Sequence, residues 1–174
     1  KLYEEMLNQE FAWESYARTT VNGSTTKGNL SEKNLPNLNF LEKVFEIEIK
    51  NYFNKFKESD CLFIKNSPKK YKFYSWSNRL KKQGHNIPHI HPSGWLSGVT
   101  YLKLPSNIKG NEAGIEFSLH GDDFKIINDK IPSKFFTPKI ADLILFPSSL
   151  FHKTIPFSSN EERVCIAFDI IKVE

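Results

Sequence analysis

Cysteine is scarce in this chain, with 2 in 174 residues, and the scarcity excludes a disulfide framework as well as Cys-type zinc spacing. Cys61 leads into Leu62-Phe63-Ile64 and Cys165 lies inside Val164-Cys165-Ile166-Ala167-Phe168, so both read as small buried apolar residues and a reducing cytoplasm is the expected setting. No apolar run approaches the length of a membrane span, and no basic-then-apolar opening segment resembles a signal peptide. Gly-rich phosphate loops, nucleophile elbows around Ser or Cys and paired-carboxylate motifs are missing too, which removes the commonest nucleotide-binding and hydrolytic chemistries. Charge of one sign is also in short supply. The net charge is +4 and the basic residues fall in short pairs such as Lys69-Lys70 and Lys81-Lys82, the pattern of a solvated face, so no nucleic-acid partner is expected.

What is abundant is aromatic. Phe, Trp and Tyr make up 14% of the residues, with 15 Phe, enough to fill a packed β-rich interior. The length fits one domain over residues 1–174, with a helical N-terminal region and linker over 1–70 and a β core over 71–174. In the first region Leu2-Tyr3-Glu4-Glu5-Met6-Leu7 starts a short amphipathic segment, and a polar connector runs from Thr19 to Asn39. From Phe40 to Phe56, Leu41, Val44, Phe45, Ile49, Tyr52, Phe53 and Phe56 recur at three- and four-residue steps, which predicts a helix packed on the outside of a sheet. Beyond Lys72 the period changes to two: Lys72 to Ser77, Leu96 to Leu104, Gly114 to Leu119, Leu143 to Phe146 and Arg163 to Ile170 read as strands separated by Gly, Pro and Asn turns. The class is β-rich α+β, with a sandwich or barrel closed as in jelly rolls and cupins, a double-stranded β-helix.

The chemistry concentrates on histidine. In Pro88-His89-Ile90-His91-Pro92 two histidines stand one residue apart, and in an extended segment side chains alternate faces, so His89 and His91 project to the same side. A third, His152, follows the strand that Pro147 ends. Three imidazoles meeting there would complete one face of a metal's coordination sphere, leaving positions open for oxygen and a chelating co-substrate, as in non-haem iron enzymes. Arg163 opens an apolar strand, where an inward guanidinium is costly unless a carboxylate meets it; its planar fork suits bidentate capture of a carboxylate, and the alternative is an outward Arg at the strand start. Trp76, Asn78, Arg79, Asn86 and Trp95 are candidate pocket residues, Asn86 being equally suited to an Asx-type turn, while His85 and His120, beside Gly84 and Gly121, read as solvated loop residues.

Three blocks, Gly84 to Leu102, Ala141 to His152 and Glu162 to Phe168, resemble in order and spacing a family of 2-oxoglutarate and iron(II)-dependent oxygenases found in bacteria and phages, over roughly residues 72 to 170. The resemblance implies an oxidoreductase that hydroxylates a small-molecule or peptide substrate while 2-oxoglutarate is decarboxylated to succinate. It makes His89 the first metal ligand, His152 the distal ligand, Arg163 the anchor of the co-substrate and Tyr101 a donor to the same carboxylate. His91 stands where the wider superfamily carries an Asp. Either three histidines hold the iron, or a carboxylate from Asp122 or Asp123 replaces one of the paired histidines. Two other classes share parts of this pattern: a cupin-type metalloenzyme, which expects a Glu soon after the pair where Pro92 to Leu96 offers none, and a non-catalytic binding barrel, which leaves three convergent histidines unexplained. Assembly into an oligomer is compatible with all of them.

Overall fold

A computed structural model describes residues 1–15, 19–121, 124–126 and 130–173. The chain forms α1 (Leu2–Leu7), β1 (Phe11–Trp13), β2 (Thr20–Thr26), a short 3-10 turn (Leu30–Glu32), α2 (Pro36–Lys55), α3 (Leu62–Lys65) and then β3 (Tyr71–Asn86), β4 (Leu96–Lys103), β5 (Ile115–Ser118), β6 (Ser133–Phe136), β7 (Leu143–Pro147), β8 (Phe151–Thr154) and β9 (Arg163–Lys172). Two antiparallel sheets result, one in the order β1-β2-β3-β9-β4-β7 and a smaller one in the order β6-β5-β8. This is the β-rich jelly-roll arrangement that the strand spacing predicts.

Strand β9 organises the molecule because both of its faces are covered. Its even positions, Ile166, Phe168 and Ile170, turn toward the helices; there Phe45 stacks on Phe168 at 4.2 Å and joins Ile49, Leu96 and Ile170 in one cluster. Its odd positions, Arg163, Cys165, Ala167 and Asp169, line a cavity on the opposite face. Helix α2 starts at Pro36, whose missing N–H costs nothing in the first turn, and the Glu5 carboxylate of α1 accepts the N–H groups of Asn37 and Leu38 at 3.1 and 2.9 Å. The apolar stripe is narrower than its spacing suggests: Phe45 and Ile49 are buried, whereas Val44 and Phe56 remain exposed.

Three features depart from the sequence reading. The polar connector from Thr19 contains β2, whose β-branched residues pair with β3, and whose polar side chains bond to their neighbours instead of packing apolar surface. Thr25 Oγ1 donates to Asn78 Oδ1 at 2.7 Å, and Ser77 N–H donates to Thr26 Oγ1 at 2.9 Å. With β2 alongside, β3 continues to Asn86, well past Ser77, so His85 lies on a strand and not in a loop. Cys61 is exposed at the start of α3, since that single turn is too short to bury both flanks; Cys165 is buried, and both thiols are free.

Gly98 shows how tightly the helix-facing layer is filled. A Cβ there would land on the Phe168 ring and within 3.0 Å of Leu145 Cδ2. Gly98→Ala is therefore expected to lower stability by about 1–3 kcal/mol, moving the thermal midpoint down by roughly 2–4 °C per kcal/mol for a chain of this size. A differential scanning experiment checks it, and an unchanged midpoint would contradict the overpacking.

Candidate metal and co-substrate site

The three histidines meet. His89 and His152 form a backbone bridge in which each N–H donates to the other's carbonyl at 3.0 Å, so the segment after β3 is tied to β8 directly beside the rings. Ring centroids lie 4.2 Å apart for His89 and His152, 4.9 Å for His91 and His152 and 5.2 Å for His89 and His91. One ligand atom from each falls within 4.8 Å of the other two. His152 lies within β8, an element the sequence reading does not foresee, because four residues are too few to show a period.

Each ring is held by its Nδ1. That of His89 is 2.6 Å from the Ile87 carbonyl and that of His152 is 3.0 Å from the Leu150 carbonyl. A carbonyl only accepts, so each Nδ1 carries the proton and each Nε2 offers a lone pair. His91 Nδ1 instead meets Asp169 Oδ1 at 2.7 Å, with Ser97 Oγ at 3.0 Å. Burial, the largest effect, pushes His89 down to about 4, with the neighbouring His91 adding to it against the Ile87 carbonyl; burial followed by the proximity of His89 and His91 takes His152 to about 2. Both are neutral at pH 7, the form in which imidazole binds a metal.

Arg163 shares this cavity of about 410 Å³ with the three histidines. It is only 3% exposed, Nε donates to the Ala113 carbonyl at 3.0 Å, and Nη1 reaches Cys165 Sγ at 3.5 Å. Among the described residues no carboxylate pairs with it. Its guanidinium sits 4.9 Å over the Tyr101 ring. Tyr101 is fully buried behind that contact and is not itself part of the cavity wall; burial raises its hydroxyl pKa against the pull of the Arg163 charge, and the hydroxyl has no hydrogen-bond partner among the described residues.

Trp76, Asn78 and Asn86 line the same cavity. Trp76 also sets its edge against His91 at 5.2 Å. Asn86 is on β3, with Nδ2 donating to Thr19 Oγ1 at 3.3 Å, so the Asx-turn alternative does not apply. Trp95 is elsewhere. It stacks on Phe63 at 5.5 Å and joins the cluster on the helix side of the large sheet, because it precedes the first residue of β4 and the in-out alternation does not extend back to it. Arg79 is occupied by Glu162, which accepts from Nε and Nη2 at 2.9 and 2.8 Å, and it does not line the cavity. His120 lines a second hollow of about 310 Å³ behind His152, with Nε2 donating to the Phe124 carbonyl at 2.6 Å. Asp122 and Asp123, the carboxylates weighed as an alternative ligand, lie outside the described residues. Sequence reasoning misses Asp169, Ser97 and Ser148. A signal existed for the first: an acid in the apolar run Val164 to Ile170, on the same strand face as Arg163.

Residues 74–169, more than half of the chain, match the family model described as "Putative 2OG-Fe(II) oxygenase". The chain belongs to that family. It is an oxidoreductase with iron(II) and 2-oxoglutarate as its cofactors. The oxygenase is similar in fold to HygX from Streptomyces hygroscopicus, solved with nickel and 2-oxoglutarate bound, at TM-score 0.65 and 10% identity over 99% of this chain and 77% of that one. It is also similar to a Pseudomonas putida prolyl-4-hydroxylase at TM-score 0.57 and 12% identity over 95% and 78% of the two chains, and to a Trichoplax adhaerens prolyl hydroxylase in complex with a peptide fragment at 0.59 and 14% over 98% and 76%. Among curated proteins none matches. No helix among the described residues is long and apolar enough to cross a membrane.

The residues present suit both cofactors. Three imidazoles with engaged Nδ1 atoms form an iron(II) donor set, and a buried guanidinium with no carboxylate partner among the described residues is complementary to a carboxylate.

Proposed function

We propose that the oxygenase holds iron(II) through His89, His91 and His152, takes the far carboxylate of 2-oxoglutarate at Arg163, and hydroxylates a C–H bond of a peptide or small-molecule substrate. The observation that carries this reading is the presence in one cavity of three histidine rings whose ligand atoms converge and a buried guanidinium that has no carboxylate partner among the described residues. When bound, the iron and the keto acid supply the oxidising chemistry, in which substrate, O₂ and 2-oxoglutarate give hydroxylated substrate, succinate and CO₂.

The chain's own residues do the positioning. Val99, Ile115, Phe146 and Ala167 give the cavity that holds the histidines and Arg163 an apolar wall, which suits the two methylenes of a keto diacid. The backbone bridge between His89 and His152 fixes the relative height of two rings whatever occupies the cavity. Thr20, Thr25 and Asn78 supply a polar wall along β2 and β3, where a substrate's hydroxyl or amide groups would find partners.

The test is a stoichiometry. Candidate peptides and small molecules are incubated with the iron-loaded protein, 2-oxoglutarate and air, and succinate is measured against oxidised product. One succinate per hydroxyl introduced is expected. A substrate oxidised with no succinate formed would overturn the proposed reaction.

A further inference from the structure

A carboxylate stands behind the histidine cluster, one hydrogen bond from the far side of a His ring. Imidazole binds a metal in its neutral form, so a ligand set of three histidines would bring no negative charge to offset a divalent ion. Yet a carboxylate is present immediately behind one of them. Asp169 is 7% exposed, its Oδ1 lies 2.7 Å from His91 Nδ1, and among the described residues no Lys or Arg pairs with it. Arg163, on the same strand face, is six residues away, about 20 Å along an extended backbone at ~3.3 Å per residue.

The surroundings of Asp169 are built for it. Ser97 Oγ is 2.6 Å from Asp169 Oδ1, 2.8 Å from Ser148 Oγ and 3.0 Å from His91 Nδ1. Ser97 Oγ donates toward both Asp169 Oδ1 and Ser148 Oγ, and of these two acceptors the carboxylate is the nearer and the stronger for its single hydroxyl proton. The His91 backbone N–H donates to the Ser148 carbonyl at 2.9 Å, which locks main chain and ring to the same corner. Gly94 leaves the room: a Cβ there would stand 2.6 Å from Ser148 Oγ and 3.0 Å from Asp169 Cγ. The Ser-Gly-Trp turn after the histidine pair is thus required by the close approach of the backbone to this carboxylate.

A buried carboxylate with no Lys or Arg partner among the described residues, bonded to an imidazole, is stabilised when a cation stands beyond that imidazole. We infer that Asp169 is a positioning residue for the metal, holding His91 with its Nε2 toward the ion and supplying, through His91, the negative charge that the three-histidine set lacks. This rests on the three-histidine reading above. Outer partners of metal-bound histidines are typically worth about 10–100-fold in metal affinity.

Anaerobic titration of the full chain with iron(II), and separately with cobalt(II), measures that effect directly, with no turnover needed. Asp169→Asn keeps an oxygen to accept from His91 but removes the charge; it is expected to raise the metal dissociation constant about 10–100-fold, while the thermal midpoint of the metal-free protein stays level or rises, since a buried charge with no Lys or Arg partner among the described residues has been removed. Ser97→Ala, which weakens only the cradle, is expected to show a smaller loss in the same direction. A further arm transposes the charge. His91→Asp alone sets two carboxylates against each other and is expected to bind metal poorly, and adding Asp169→Asn to it is expected to improve binding.

Unchanged affinity in Asp169→Asn, or a fall in its metal-free thermal midpoint, overturns the assignment and leaves Asp169 as a structural residue. A doubly substituted chain that binds no better than His91→Asp overturns it as well. If the unaltered chain binds neither metal, the three-histidine reading itself falls; if the unaltered chain binds and Asp169→Asn binds equally well, only the role of Asp169 falls.

Discussion

The chain carrying His152→Ala is expected to lose iron(II). His152 is the residue on which the cluster closes: its ring is the nearest neighbour of both others, at 4.2 and 4.9 Å from His89 and His91, and its backbone holds His89 in place. Four-ligand protein sites hold a metal by about 10–16 kcal/mol, so one ligand accounts for roughly 3 kcal/mol, and its loss should weaken binding by more than about 100-fold. Metal analysis after anaerobic loading and gel filtration is the measurement. About one iron per chain is expected for the unaltered protein and essentially none for the variant. The fold should survive, because the bridge to His89 is made by backbone atoms and the space left opens against Phe146 and Phe117, which partly relax into it; far-UV circular dichroism verifies this. Stoichiometric iron in His152→Ala would remove His152 from the ligand set.

How much of this could be read beforehand follows from where the information resides. A His-x-His pair needs only the alternation of an extended chain to place both rings on one side, and Arg163 announces itself as a charge inside an apolar strand. Helix α2 is visible because its apolar residues recur on one face. Strand β2 is hidden for the opposite reason, since Thr20, Thr25 and Thr26 satisfy their neighbours by hydrogen bonds and leave no apolar period to detect. Trp95 shows a second kind of limit. Alternation assigns faces only inside a strand, and one residue before β4 it fails, so an aromatic that looks available for the pocket is half-buried against Phe63 of α3 instead. Asp169 was within reach: the logic that singles out Arg163 applies equally to an acid at the same parity of the same strand. What the sequence could not supply was its partner, because the contact with His91 spans 78 positions and exists only once β9 lies beside β4.

The largest effect on the co-substrate is expected at Arg163. A guanidinium that is 3% exposed, held by the Ala113 carbonyl and resting on the Tyr101 ring, is already oriented, so a carboxylate arriving there gains a charge-assisted contact with little ordering left to lose. Losing such a contact costs about 1.5–3 kcal/mol, so Arg163→Ala should raise the dissociation constant for 2-oxoglutarate by at least about tenfold. The readout is the weak visible band expected when 2-oxoglutarate is added anaerobically to the iron-loaded protein, titrated to saturation. Arg163→Lys should recover little of the loss, because an ammonium is a point charge that cannot reproduce a planar fork and would have to forgo the Nε contact to Ala113. Metal content should be unchanged in both variants, since Arg163 touches none of the three histidines, and that separates this result from the one at His152. An iron-loaded protein that shows no band at any 2-oxoglutarate concentration, or an Arg163→Ala chain that binds the keto acid as tightly as the unaltered one, would show that the carboxylate is held somewhere else.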